Sequence, residues 1–166
     1  MFMPKTLLTL GFFLAAITAC KKDDVDPVPP EFYLQLKIDG IQKKYSEITL
    51  ANVDNTAPIY TCECVGQKNI NYLFQEGLII SIASDSLIST NIVYNDQNGA
   101  GFHYTDSSGQ DYASMGSVGP PTIAVTITQL DDKTIRGTFS GVMTSLQDFT
   151  TQVNVTEGKF HLPMHP

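Results

Sequence analysis

Few residues of this 166-residue chain are of the types that do chemistry. Two cysteines stand two positions apart in Thr61-Cys62-Glu63-Cys64. On a strand such residues share a face, with Cα atoms roughly 6.5 Å apart, near the upper limit for a disulfide. The pair can pack as two small thiols, close as a strained disulfide, or offer part of a metal site, although no CxxC or HxxxH helix supplies further ligands. His161 and His165 are four apart, but Pro163 between them prevents the helix that would align them, so they read as a solvated tail; His103 stands alone. Gly137-Thr138-Phe139-Ser140-Gly141 carries its serine one place late for a nucleophile elbow, which leaves an exposed strand serine. Asp131 and Asp132 fall in a turn, whereas sugar hydrolysis needs carboxylates facing each other across a cleft. Asp96-Gln97-Asn98-Gly99 echoes part of a calcium loop but lacks the spaced acids and the closing glutamate, so it reads as a hairpin turn. Neither a phosphate loop nor a dinucleotide fingerprint is present. No catalytic, cofactor or metal set emerges, and none is expected.

The elements that must carry these residues are strands. Residues 32–38 alternate, with Phe32, Leu34, Leu36 and Ile38 on one face, and Asp39-Gly40 forms a two-residue turn that tolerates positive φ at both positions. The chain returns over 41–47. Residues 48–58 show no clear alternation and read as a loop or a short helix. Further strands are expected over 59–65, 78–83, 90–94, 102–105, 111–115 and 122–130, with a breaker cluster at 116–121. Along 134–143, Ile135, Gly137, Phe139, Gly141 and Met143 share a face, and the two glycines flanking the ring imply close packing around Phe139. In the last strand Val153 and Val155 have one parity, Phe160 and Leu162 the other. A β-bulge at Gly158, taking positive φ, would turn all four inward. Substituting Gly158 is therefore expected to destabilise, and substituting Gly99, in a looser loop, to cost less. No segment of ten or more residues has a 3.6-residue period. The expectation is an all-β fold: a single antiparallel β-sandwich or closed barrel of about nine strands, spanning residues 31–166.

Composition narrows the partners. Hydrophobic residues make up 42% and charged residues 16% of the chain, enough apolar content for a folded core. The net charge of −7 without a basic patch repels phosphate backbones, so nucleic acid is not an expected partner. The seven tyrosines could line a carbohydrate platform, but aromatics alternating on strands belong more often to cores and cross-strand pairs.

The N-terminus carries an address. Lys5 precedes an uncharged apolar run over residues 7–17, followed by the small residues Thr18 and Ala19 and then Cys20. That order of charged region, apolar region and small-residue cleavage site reads as a signal peptide over residues 1–19. The run is too short to span a bilayer, which takes roughly 20 apolar residues. Residues 20–30 hold charge and proline and read as a solvated tether.

Ile17-Thr18-Ala19-Cys20 resembles the bacterial lipobox. The resemblance implies cleavage between Ala19 and Cys20, lipid on the Cys20 thiol, and anchoring to a membrane through two or three acyl chains. Cys20-Lys21-Lys22-Asp23-Asp24 resembles the start of Bacteroidota lipoproteins, in which residues placed as Lys21, Lys22, Asp23 and Asp24 act as a signal for export to the outer face of the outer membrane. Asp85-Ser86-Leu87 resembles the acceptor that these bacteria use for O-glycosylation, which implies a possible glycan on Ser86. Leu36-Lys37-Ile38-Asp39-Gly40, the GTFSG strand at 137–141 and Glu157-Gly158-Lys159-Phe160 are similar to a group of Bacteroidota lipoproteins of unknown function, many of which carry asparagine where this chain has Glu157. That resemblance implies a β fold and surface lipidation, and no activity.

Together these readings lead to a non-catalytic, surface-anchored binding or interaction module with a protein or glycan partner. The alternative is a lipocalin-like barrel carrying a small apolar ligand; a hydrolase whose site one sequence does not reveal is a further reading. An interior cavity of several hundred Å³ would favour the carrier, and a filled core the surface binder.

Overall fold

The computed structural model describes residues 31–68, 76–116 and 119–165. The signal peptide, Cys20 and the tether with Lys21, Lys22, Asp23 and Asp24 lie outside the described residues, as does Tyr72. The described chain is all-β, with eleven strands in one sheet. They are β1 (Tyr33–Ile38), β2 (Ile41–Tyr45), β3 (Ile48–Asp54), β4 (Tyr60–Gln67), β5 (Gly77–Ser84), β6 (Val93–Tyr94), β7 (Ala100–Thr105), β8 (Asp111–Ala113), β9 (Ile123–Leu130), β10 (Thr134–Ser145) and β11 (Gln152–Pro163).

Nine strands run in the order β2-β1-β11-β10-β8-β7-β5-β4-β3, each pair antiparallel. β10 keeps β11 on one side and shares its other side between β9 and β8, while β6 adds to the far edge of β9. β3 then comes back to the end of β11: Ala51 bridges Met164, and the His165 N–H donates to the Ala51 carbonyl at 2.7 Å. The result is one nearly closed barrel-like sheet.

Alternation explains which side chains fill it. Leu34, Leu36 and Ile38 face in from β1, and Ile123, Val125 and Ile127 from β9. The turn at Asp39 and Gly40 has φ of 47° and 83°, the double positive φ that matches the twist of a tight hairpin. The four apolar side chains of β11 are all buried, as the parity argument requires. They are so because Phe139 pairs with Gly158 and Gly141 with Val155, which leaves Thr156 and Glu157 opposite Ser140 alone.

Three local expectations are corrected. Residues 48–54 form neither loop nor helix but β3, paired with β4 over its whole length. Only Ala51 is fully buried there, at the closing seam; Ile48, Thr49, Leu50 and Val53 are half buried, so no clean two-residue alternation marks the strand. The positive φ of the bulge falls on Glu157, at 52°, and not on Gly158. Gly158 is required for space instead: a Cβ there would sit 2.4 Å from the Phe139 carbonyl oxygen and 2.6 Å from its ring. Likewise Gly137 makes room for Phe160, not for Phe139, since its Cβ would lie 2.3 Å from the tip of that ring.

Candidate functional site

Register across the sheet builds a polar surface from residues far apart in sequence. Lys44 on β2 pairs with Gln35 on β1, Gln35 with Lys159 on β11, Lys159 with Thr138 on β10, and Thr138 with Thr126 on β9. Directly opposed residues on neighbouring strands point to the same side, so these five side chains form one row on the outer face, about 19 Å long at the usual strand spacing. Beside it lie Gln42, Glu157, Ser140 and Ala124. The bulge separates the two sets, and Gly158 between them faces inward against Phe139. The outcome is an open groove of about 380 Å³ lined by Gln35, Gln42, Thr126, Thr138, Ser140 and Lys159, with Glu157 at one side. A shallower hollow of about 290 Å³ continues past Ala124 and Ser140 to Thr122 and Val93.

Most of the polar groups in the groove are unspent. Gln35, Thr126, Thr138, Ser140 and Lys159 make no side-chain hydrogen bond among the described residues. Gln42 donates its amide N–H to the Leu36 and Lys43 carbonyls at 3.1 and 3.2 Å. Glu157 accepts from the Lys37 ammonium at 2.6 Å, and Lys44 is paired with Glu31, so Lys159 is the one groove cation without an acidic partner among the described residues.

A second hollow of about 500 Å³ surrounds Ser86 and includes Asp85, Leu87, Ile92, Tyr94 and Asn98. Ser86 is exposed, and its hydroxyl donates to the Asp85 carboxylate at 3.1 Å.

Among the described residues, the interior holds one charged cluster. Glu76 is buried and accepts from Lys43 at 2.6 Å and from Lys68 at 2.7 Å, with the Tyr45 hydroxyl 3.4 Å away. Burial pushes the Glu76 carboxyl up, but the two ammonium groups outweigh it and hold the group below its ordinary value. Burial, helped by the neighbouring Glu76 charge, pushes Tyr104 up to about 12 and Tyr45 upward as well. Glu76 therefore stays ionised and the tyrosines stay protonated near neutrality, which makes the cluster a fixed ion-pair anchor.

The remaining candidates fall into place individually. Cys62 and Cys64 are buried free thiols with sulfurs 3.8 Å apart; the hydrogen bond to Cys62 and then burial push the Cys64 thiol up. His161 is not in a solvated tail: it lies in β11, buried, with Nδ1 3.0 Å from the Glu31 carbonyl and the Phe32 ring at 5.0 Å, and its Nε2 has no partner among the described residues. Sequence reasoning missed it because the cover comes from the other end of the described chain. Asp96 accepts from the Thr122 N–H and hydroxyl, and Asp131 from the Lys133 and Thr134 N–H groups, so both are turn-fixing carboxylates. Tyr45, Tyr94, Tyr104 and Tyr112 are core residues, and Tyr104 and Tyr112 form a cross-strand pair. Comparisons of the chain with protein-family models, with curated proteins and with solved structures found no match.

Proposed function

We propose that this protein is a lipid-anchored, non-catalytic binding module, held in the outer membrane through Cys20 and presenting its β domain at the cell surface to a protein or glycan partner. The observation that carries the reading is where space is found. Inside the sheet, Gly66 backs directly onto Leu34, Gly137 onto Phe160 and Gly158 onto Phe139, each so closely that one added carbon would overlap. A small-molecule carrier needs several hundred Å³ within such a sheet, whereas the grooves at Gln35–Lys159 and at Ser86 open outward. The address rests on residues 7–20 and on the acidic, proline-bearing tether. An exposed Ser86 beside Asp85 suits the proposed O-glycan acceptor.

The test uses the full-length chain made in a bacterium that processes lipoproteins. The parent should take up lipid label and partition into detergent, and Cys20→Ser should do neither. The purified lipidated protein should bind a member of a glycan and surface-protein panel while leaving an apolar fluorescent probe free. Stoichiometric uptake of that probe into the domain would replace the module with a carrier, and normal processing of Cys20→Ser would remove the anchor.

A further inference from the structure

The outer-face groove has a ligand chemistry of its own, and we infer that it binds an acidic oligosaccharide, with Lys159 meeting a carboxylate and Gln35, Thr126, Thr138 and Ser140 meeting sugar hydroxyls. The inference rests on the surface-module reading and narrows it to one site and one ligand class.

Elimination begins with the backbone. β1, β10 and β11 are each paired on both sides, so their N–H and C=O groups are committed to the ladder. An extended peptide cannot add to these three as a further strand, so recognition along them comes from side chains. Protein partners are anchored by large apolar or aromatic groups in a pocket. Here the apolar lining is Ala124, Gly158 and Phe139, and Phe139 is only 4% exposed. Of the exposed apolar side chains, Ile41, Leu87 and Phe149 do not line this groove, and Val93 lines only its continuation.

What the groove does present is two carboxamides and three hydroxyls on a rigid surface, nearly all unpaired. Those groups both donate and accept, which suits a ligand made of hydroxyls. Charge then selects among sugars. Lys37 and Glu157 cancel, and Lys44 and Glu31 cancel, so Lys159 leaves the groove with one positive charge. A carboxylate on the sugar would meet it in a charge-assisted hydrogen bond. The row and its continuation to Thr122 are longer than one sugar ring, which favours an oligomer.

The test titrates the full lipidated chain in detergent with oligogalacturonate, an alginate oligomer and a hyaluronan tetrasaccharide, each beside its methyl ester, which keeps the sugar and removes the charge. At least one acid form should bind about twofold to fivefold more tightly than its ester, the preference expected for one exposed charge pair. Lys159→Gln should abolish that preference. Gln35→Ala and Thr138→Val should weaken acid and ester alike, and Asn52→Ala, exposed on β3 away from the groove, should change neither. Equal binding of acid and ester, a preference that survives Lys159→Gln, or no binding of any of the three at millimolar concentration overturns the inference. If a different glycan or a protein binds and none of the groove substitutions matters, the groove assignment fails while the surface module stands.

Discussion

Two glycines, Gly158 in the bulge of β11 and Gly99 in the turn before β7, serve different needs. Gly158 has an ordinary φ and is glycine because a carbonyl and a ring of Phe139 stand where a side chain would go. Gly99 has φ of 94°, and a Cβ there would lie 1.8 Å from the Ala83 carbonyl oxygen. It also accepts from the Ala83 N–H at 2.9 Å. The turn is therefore the tighter of the two places. A loop position on its own says little about tolerance: both glycines face a backbone carbonyl, and what separates them is how close it stands and whether φ is left-handed.

Like substitutions should expose that difference. Gly99→Ala combines left-handed strain with overlap onto a paired backbone group, and should cost about 3 kcal/mol. Gly158→Ala meets the Phe139 ring and carbonyl without φ strain and should cost about 2 kcal/mol. The order is the reverse of the one expected from the sequence, where Gly99 looked the looser. Urea unfolding of both variants beside the parent measures it. A Gly99→Ala midpoint equal to the parent's would mean that the turn yields freely.

Much of this could be read in the sequence, and the rest could not for definite reasons. Alternation located β1, β9 and β10, and the parity break between Val155 and Phe160 located the bulge, because both depend on residues within one strand. β3 escaped because its burial is set at the seam by the chain around Met164. The groove escaped for a related reason. Alternation places Thr126 and Thr138 on outer faces, but only the pairing of β1 with β11 brings Gln35 beside Lys159. Register between strands so distant in sequence leaves no local trace.

A smaller effect distinguishes His161, farther along β11, from Lys159 in the outer row. His161 is buried, and burial first, then the Arg136 charge, hold its imidazole below the ordinary value, with the Glu31 carbonyl pulling partly the other way and Asp131 also favouring the charged form. The folded state thus binds this proton less readily than the unfolded one. Its stability contribution is complete above the ordinary histidine value of 6.5 and declines as pH falls below it. For one proton the slope cannot exceed about 1.4 kcal/mol per pH unit. Between about pH 7.5 and about pH 5.5, the parent should lose more stability than His161→Gln. Parallel curves for the two proteins would place the titration elsewhere.

The smallest change should come from Glu157, and its sign is informative. At φ of 52° this residue occupies the left-handed region, which costs most side chains roughly 1 kcal/mol and asparagine less. Its carboxylate also pairs with Lys37 at 2.6 Å, but the pair is exposed, and exposed pairs contribute about 0.5 kcal/mol or less. Backbone relief should therefore exceed the lost ion pair, and Glu157→Asn should stabilise the domain by about 0.5 kcal/mol. Lys37→Gln removes the pair without touching the backbone and supplies the second leg of the comparison. A lower unfolding midpoint for Glu157→Asn, matched by Lys37→Gln, would show that the ion pair outweighs the backbone strain. The bulge would then be held from its outer face as well as by Gly158 within.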